Sequence, residues 1–285
     1  MCSCGNAGET TLSAGAVGNV MQDTGFKDVA FSFPLPASYL GVNDGSSISK
    51  YMNSTRNATT TTLKSNVVKD TLAPYVVSFP SRGPNPITSD ILKPDLTAPA
   101  VVILAAWSLV SPVSGVKGDN RRVPFNILSG TSMACPHATG VAAYIKSFHP
   151  SWSPAAIKSA LMTTAFPLSV KTNSTDAEIA YGAGHLDPIK AVNPGLVDDA
   201  DAADYVRTLT NVGSAGCTYN SRIIAPRELH IQVEPTILSF TSLGQKLSFV
   251  VKVEGKIGKT IAFASLVWDD GIHQVRSRIV VYALS

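Results

Sequence analysis

An α/β segment built on a parallel sheet, preceded by a β-rich stretch full of loops and followed by an all-β sandwich, is the fold class this 285-residue sequence predicts. Three observations carry it. Tyr75-Val76-Val77-Ser78-Phe79 and Val101 to Ala106 run apolar, as do strands of a parallel sheet covered on both faces. Phe125-Asn126-Ile127-Leu128 reads as a short buried strand that turns through Ser129-Gly130 into a helix-forming stretch. From Arg207 onward, apolar alternation recurs between turn signals, the pattern of a sandwich.

Taken in order, residues 1–66 alternate short apolar runs with turn residues, such as Gly15-Ala16-Val17-Gly18 and Phe31-Ser32-Phe33-Pro34-Leu35-Pro36, and end in a Ser/Thr-rich stretch from Ser54 to Thr62. That patterning predicts β structure and loops. The strand at Phe125 feeds a helix in which Ala138 to Lys146 are good helix formers and Pro136 suits a first turn, where a missing N–H costs nothing. Ser132 then lies at or near a helix N-terminus. Unpaired amides and the positive end of the dipole favour negative charge there, the charge that a tetrahedral acyl intermediate develops on its oxygen. Small residues at Ala134, Ala138, Gly140, Ala142 and Ala143 predict a buried helix. The competing reading of Ser132 is a plain N-cap on a core helix. A second helix opens at Ser153-Pro154, with Ser as N-cap and Pro at N1, and carries Ile157, Ala160 and Leu161 at helical spacing. Strands are predicted at Ile231–Pro235, Leu247–Val253, Ala262–Trp268 and Val275–Val281, with a hairpin corner at Trp268-Asp269-Asp270-Gly271.

Composition narrows the function classes. The chain is 45% hydrophobic and 15% charged, with a net charge of +3, too small to argue for nucleic acid or an anionic membrane as a partner. No apolar run is long enough to cross a bilayer. Cys2, Cys4, Cys135 and Cys217 show no paired metal spacing, no carboxylate cluster has calcium-site spacing, and no cofactor is called for. Cys135 reads as a small core hydrophobe on the buried helix. Asn53, Asn57 and Asn173 open N-x-S/T sequons in polar surroundings and are candidate glycosylation sites. Met1-Cys2-Ser3-Cys4-Gly5 has neither the basic start nor the apolar core of a signal peptide.

Gly130-Thr131-Ser132-Met133-Ala134-Cys135-Pro136-His137 closely resembles the nucleophile motif of the subtilisin-like serine proteases, and the whole stretch is similar to their plant, cucumisin-like branch. It is not a Gly-x-Ser-x-Gly elbow, because Ala134 stands at the second glycine. Phe79 to Asn85, Lys93 to Pro99, Tyr181 to Pro188 and Asn193 to Val197 resemble further strings of that family, with Pro80 standing where relatives carry Ser. Phe33-Pro34-Leu35-Pro36-Ala37 resembles part of the protease-associated domain inserted in plant subtilases, and the C-terminal strands resemble their fibronectin-III-like module. The resemblance implies three parts: a partial protease-associated domain over 1–66, the C-terminal part of a subtilisin-like catalytic domain over 67–204, and a fibronectin-III-like domain over 205–285 whose first strand is missing. It further implies a secreted, extracellular serine endopeptidase acting on protein or peptide substrates. Ser132 would be the acyl-forming nucleophile and its backbone N–H an oxyanion donor. The protease-associated segment is a candidate homodimer contact.

The remaining catalytic groups are not found in this chain. Subtilisin-type enzymes order their triad Asp, His, Ser, yet the first histidine here is His137, five residues after Ser132. Five helical residues turn it about 140° away from the serine. Asp23-Thr24-Gly25-Phe26 imitates the family's aspartate string but falls inside the protease-associated match, and no Asn-x-Gly-Pro loop is present. His185, alone in a Gly-rich loop, reads as a hydrogen-bonded structural residue. The expectation is a protease fragment without triad-based activity. The alternatives are a truncated pseudoprotease acting as a binding module and an unrelated α/β hydrolase, which fits the many matching strings badly.

Overall fold

The computed structural model describes residues 4–22, 28–29, 31–64, 66, 69–88, 91–168, 177–198, 206–255 and 261–282. Asp23 to Phe26, Asn173, Cys2 and Asp204 lie outside the described residues. The chain forms two compact units. One comprises Met1–Ala73, Val77–Pro80 and Pro99–Ala134, and the other Pro74–Val76, Ser81–Ala98 and Cys135–Ser285.

The first unit opens with α1 (Cys4–Ser13), β1 (Asn19–Gln22), β2 (Ala37–Leu40) and α2 (Val42–Ser54). β1 and β2 pair in parallel from Asn19↔Ala37 to Gln22↔Leu40. The stretch expected to be β-rich therefore carries two helices. In α2, Ile48, Tyr51 and Met52 fall at i, i+3 and i+4, a helical period that the surrounding serines and glycine obscure. The Ser/Thr-rich stretch after it is exposed coil.

β3 (Ile103–Ala106) and β4 (Phe125–Leu128) pair antiparallel from Ile103↔Leu128 to Ala106↔Phe125. β3, whose apolar run suggested a parallel sheet, pairs antiparallel here, and β4, expected to be buried, is largely exposed. A hairpin-like excursion over 107–124 returns the chain beside β3, and Leu104 (68%), Phe125 (58%) and Ile127 (42%) stay exposed. Tyr75–Phe79 forms no strand. At Ser78 the Asp28 carboxylate accepts from the amide at 2.7 Å and from the hydroxyl at 2.6 Å.

The second unit contains most of α3 (Thr131–Phe148), then α4 (Pro154–Thr164), α5 (Ala177–Tyr181), α6 (Pro188–Val192) and β5 (Leu196–Val197). α4 starts as its sequence predicts: the Ser153 hydroxyl accepts from the Ala156 amide at 3.0 Å, with Pro154 next in line. Ile145 of α3, Leu161 of α4 and Ala191 of α6 form one small core, against which Leu96 and Val141 pack.

The remaining strands are β6 (Val206–Asn211), β7 (Thr218–Ile224), β8 (Leu229–Glu234), β9 (Ile237–Ser239), β10 (Lys246–Gly255), β11 (Ile261–Asp269) and β12 (Gln274–Tyr282). They form two four-stranded sheets, ordered β5-β6-β10-β8 and β12-β11-β7-β9. Between the sheets lies the largest core of the described residues, with Trp268, Tyr219, Phe240, Leu196 and Leu266 almost fully enclosed. Phe249 meets Trp268 edge-on at 5.0 Å, a preferred aromatic geometry. Trp268→Ala is expected to cost about 4 kcal/mol in the unfolding of the sandwich, through lost burial and the cavity left behind. Urea titration of the two proteins checks this.

Candidate active site

The candidate nucleophile stands at the end of a short relay from strand to helix. β4 is set in place by Asn126, a buried side chain whose Nδ2 donates to the Val113 carbonyl at 2.7 Å and whose Oδ1 accepts from the Ile127 amide at 2.9 Å. The excursion carrying Val113 is folded around Asp119, whose side chain is 2% exposed. Its carboxylate accepts from Arg121 Nη2 at 2.7 Å and Nε at 2.9 Å, and from the Ser114 hydroxyl at 2.7 Å. These bonds, those from Arg121 first, hold the carboxyl well below the usual carboxylate range.

Beyond β4 the turn is pinned from both sides. The Val102 amide donates to Ser129 Oγ at 2.9 Å, and the Gly130 amide donates to the Ala100 carbonyl at 2.9 Å. Val102 has φ 56, the left-handed region that a β-branched residue adopts only under constraint. Strain of that kind collects at functional sites. The Gly130 carbonyl then accepts from Met133 at 3.0 Å and Ala134 at 3.4 Å, which starts α3. Ser132 is the second residue of that helix, and it is exposed. Among the described residues its hydroxyl makes no hydrogen bond. Its amide belongs to the first turn, whose N–H groups have no partner within the helix. The position combines a free hydroxyl with a field that favours negative charge.

Two expectations about this helix are corrected. α3 is not buried: Ile145 is its one buried residue, while Tyr144 (48%), Phe148 (55%) and Cys135 are exposed, so Cys135 is not a core hydrophobe. The helix packs on the core only through the face that carries Ile145. Pro136 does not occupy the first turn either. It is the sixth residue of the helix, where its missing N–H leaves the Ser132 carbonyl without its i+4 donor.

His149, His185, His230 and His273 are engaged elsewhere. His149 Nε2 lies 2.7 Å from the Val192 carbonyl and its ring stacks on Trp152 at 3.9 Å. His185 Nδ1 lies 3.0 Å from the Leu186 carbonyl, its backbone bridges Thr97 and Phe166, and its ring stacks on Phe166, in keeping with a structural role. His230 meets Gln232 at 2.9 Å and His273 meets Asp270 at 3.1 Å. His137 is half-buried on α3. Asn53 lies in the last turn of α2 and Asn57 in the turn after it, both exposed. Among the described residues no group of three His, Cys, Asp or Glu side chains is placed to hold a metal ion, and no helix is long and apolar enough to cross a membrane.

The relay includes residues that the motif alone does not expose. Ser129 has a sequence signal, a serine just before the glycine of a predicted turn. Val102 has none, since nothing in its type announces a positive φ.

A serine presented at the first turn of a helix behind an apolar strand, in a chain that ends in a two-sheet sandwich, marks out a protein of two modules. The chain belongs to the subtilase family. The family's model matches residues 2–185, and a fibronectin type-III domain matches residues 192–281. It is 42% identical over 331 aligned positions to the Arabidopsis thaliana subtilisin-like protease SBT4.4, covering 95% of this chain and 44% of that protein. With SBT4.6 of the same plant it shares 40% over 337 positions, covering 98% and 45%. The chain thus spans less than half the length of these relatives. Because the alignments are longer than this chain, the relatives also carry several tens of positions without a counterpart here. Among solved structures, fervidolysin from Fervidobacterium pennivorans overlaps 65% of this chain and 44% of its own at 13% identity and a TM-score of 0.26, a likeness too slight to bear on the fold.

Asp119 supplies a pH test of the relay. Its depressed carboxyl contributes stability that is present above its unfolded value and is lost as pH falls through the folded value. Asp119→Asn is expected to cost about 2 kcal/mol at pH 7, since Arg121 and Ser114 lose a buried charged acceptor, and to flatten the acid limb of the stability curve. Thermal melts of both proteins between pH 2 and pH 7 read it out.

Proposed function

We propose that this chain is the nucleophile-bearing part of a subtilisin-like serine endopeptidase that hydrolyses peptide bonds in protein or peptide substrates. The observation that carries the reading is the exposed hydroxyl of Ser132 in the first turn of α3, which makes no hydrogen bond among the described residues. In the reaction, Ser132 Oγ attacks the scissile carbonyl carbon and its proton passes to a general base. The oxyanion that forms is met by the Ser132 amide. The C–N bond then breaks, the base returns the proton to the leaving amine, and water hydrolyses the serine ester by the same route.

The base, the acid that orients it and the side-chain oxyanion donor come from residues outside this chain, since no histidine precedes Ser132 as the family order requires. By itself, therefore, the chain lacks triad-based activity. Residues 1–66 are assigned to a protease-associated segment, 67–204 to the catalytic part and 205–285 to the fibronectin-III-like part. The whole protein is secreted, with Asn53, Asn57 and Asn173 as glycan acceptors, and the protease-associated segment is the surface for a homodimer. The second reading, a pseudoprotease acting as a binding module, rests on the same absence of a base.

A serine-directed fluorophosphonate probe tests the assignment. Labelling of Ser132 in the isolated chain is expected to be at least about a thousandfold slower than in a complete relative, as removal of a triad base requires. Joined to the N-terminal portion of a relative, the chain should label, and Ser132→Ala should abolish the signal. Fast labelling of Ser132 in the isolated chain would overturn the predicted inactivity. Labelling of the joined protein that survives Ser132→Ala would overturn the nucleophile.

A further inference from the structure

β12 is matched by the fibronectin type-III domain, yet two of its side chains end among residues matched by the subtilase family. Arg276 and Arg278 alternate along the strand and share one face. Arg278 is 6% exposed and Arg276 12%. Arg278 Nη1 donates to the Pro94 carbonyl at 2.5 Å and Nη2 to the Leu92 carbonyl at 3.3 Å, while the Asp95 carboxylate lies 3.8 Å away. Arg276 donates to the Ala183 carbonyl and faces the buried Glu178 carboxylate at 3.9 Å.

The segments so gripped are already laced to each other. The Ala183 amide donates to the Asp95 carbonyl at 2.8 Å, the Thr97 amide to the Gly184 carbonyl at 2.8 Å, and the Leu186 amide to the Thr97 carbonyl at 2.9 Å. Gly182 permits this approach: its φ is +67, and a Cβ there would lie 2.5 Å from the Asp95 carbonyl carbon. Next along the chain, Leu96 packs on the core shared by α3, α4 and α6. A buried guanidinium is costly unless its donors are satisfied. Here burial lowers both arginines and raises Glu178. Placing two such groups together serves the contact they make rather than the sandwich, which closes its own apolar core without them. An apolar contact runs beside the ionic one, with Val197 and Val212 against Ala156 and Ala160 of α4.

We propose that Arg276 and Arg278 form a clamp by which the fibronectin module fixes the 92–97 and 182–186 segments of the subtilase part, so that these segments open only when the clamp is released. The planar fork of Arg278 reaches two main-chain carbonyls at once, those of Pro94 and Leu92, a spread that the compact ammonium of a lysine does not match. The clamp therefore depends on arginine and not on positive charge alone. It does not depend on catalysis by Ser132.

Hydrogen exchange followed by mass spectrometry on the whole chain tests it. In the unsubstituted protein, the amides of Thr97, Ala183 and Leu186 should be protected in step with those of β10 and β11. Arg278→Lys should speed exchange over 92–97 and 182–186 by about tenfold or more while β10 and β11 stay unchanged, the signature of a local opening. The double variant Arg276→Met/Arg278→Met should speed exchange over both segments further still, again with β10 and β11 unchanged. Unchanged exchange in Arg278→Lys, or an unsubstituted protein in which 92–97 and 182–186 already exchange far faster than β10 and β11, would overturn the clamp.

Discussion

Two backbone constraints, the Gly130 amide on the Ala100 carbonyl and the Val102 amide on Ser129 Oγ, fix where β4 ends and α3 begins. Ser132 owes its position to them. A hydroxyl two residues into a helix is useful to acyl chemistry only when the amides beside it are free and their direction is fixed, because the field at a helix start falls off within one turn. The constraint carries a cost, visible in the positive φ of Val102, and it is supported from behind by Asn126 and by the Asp119 hub of the preceding excursion. That support consists mainly of polar bonds rather than apolar packing, which explains how a strand with exposed Phe125 and Ile127 can hold its register.

The sequence announced some of this and concealed the rest. Strand, turn and helix around Ser132 were legible because an apolar run, a glycine and a series of helix formers follow one another, and Ser153-Pro154 marked the next helix for equally local reasons. Of the sandwich, β8, β10, β11 and β12 were legible because apolar runs recur there between turn signals, while β7 and β9 were not singled out. What failed depended on partners. Tyr75–Phe79 has strand composition, but a strand is defined by pairing, and among the described residues Ser78 is held by Asp28 instead. The small residues of α3 predict burial because such residues permit close approach, yet here only the face carrying Ile145 meets a core. The helix over 42–54 was hidden because serines and a glycine outnumber the three apolar residues that set its period.

The two modules differ in what holds them. The sandwich is an apolar core closed by aromatic contacts, with Trp268 and Tyr219 at its centre. The neighbouring subtilase part is thinly packed by comparison, and the 92–97 and 177–186 segments rely on main-chain lacing and on ionic contacts with β12. Such a division gives the fibronectin module a conformational task within the chain: it supplies, through arginine, some of the order that its neighbour's core does not.

The central claim is that Ser132 is a nucleophile whose base is encoded elsewhere in the same protein, and the transcript upstream of the Met1 codon tests it most directly. The account predicts an open frame running back through a histidine string of the form Gly-His-Gly-Thr-His and an aspartate string of the form Asp-Thr-Gly. A stop codon immediately before Met1 in the mature transcript would contradict it.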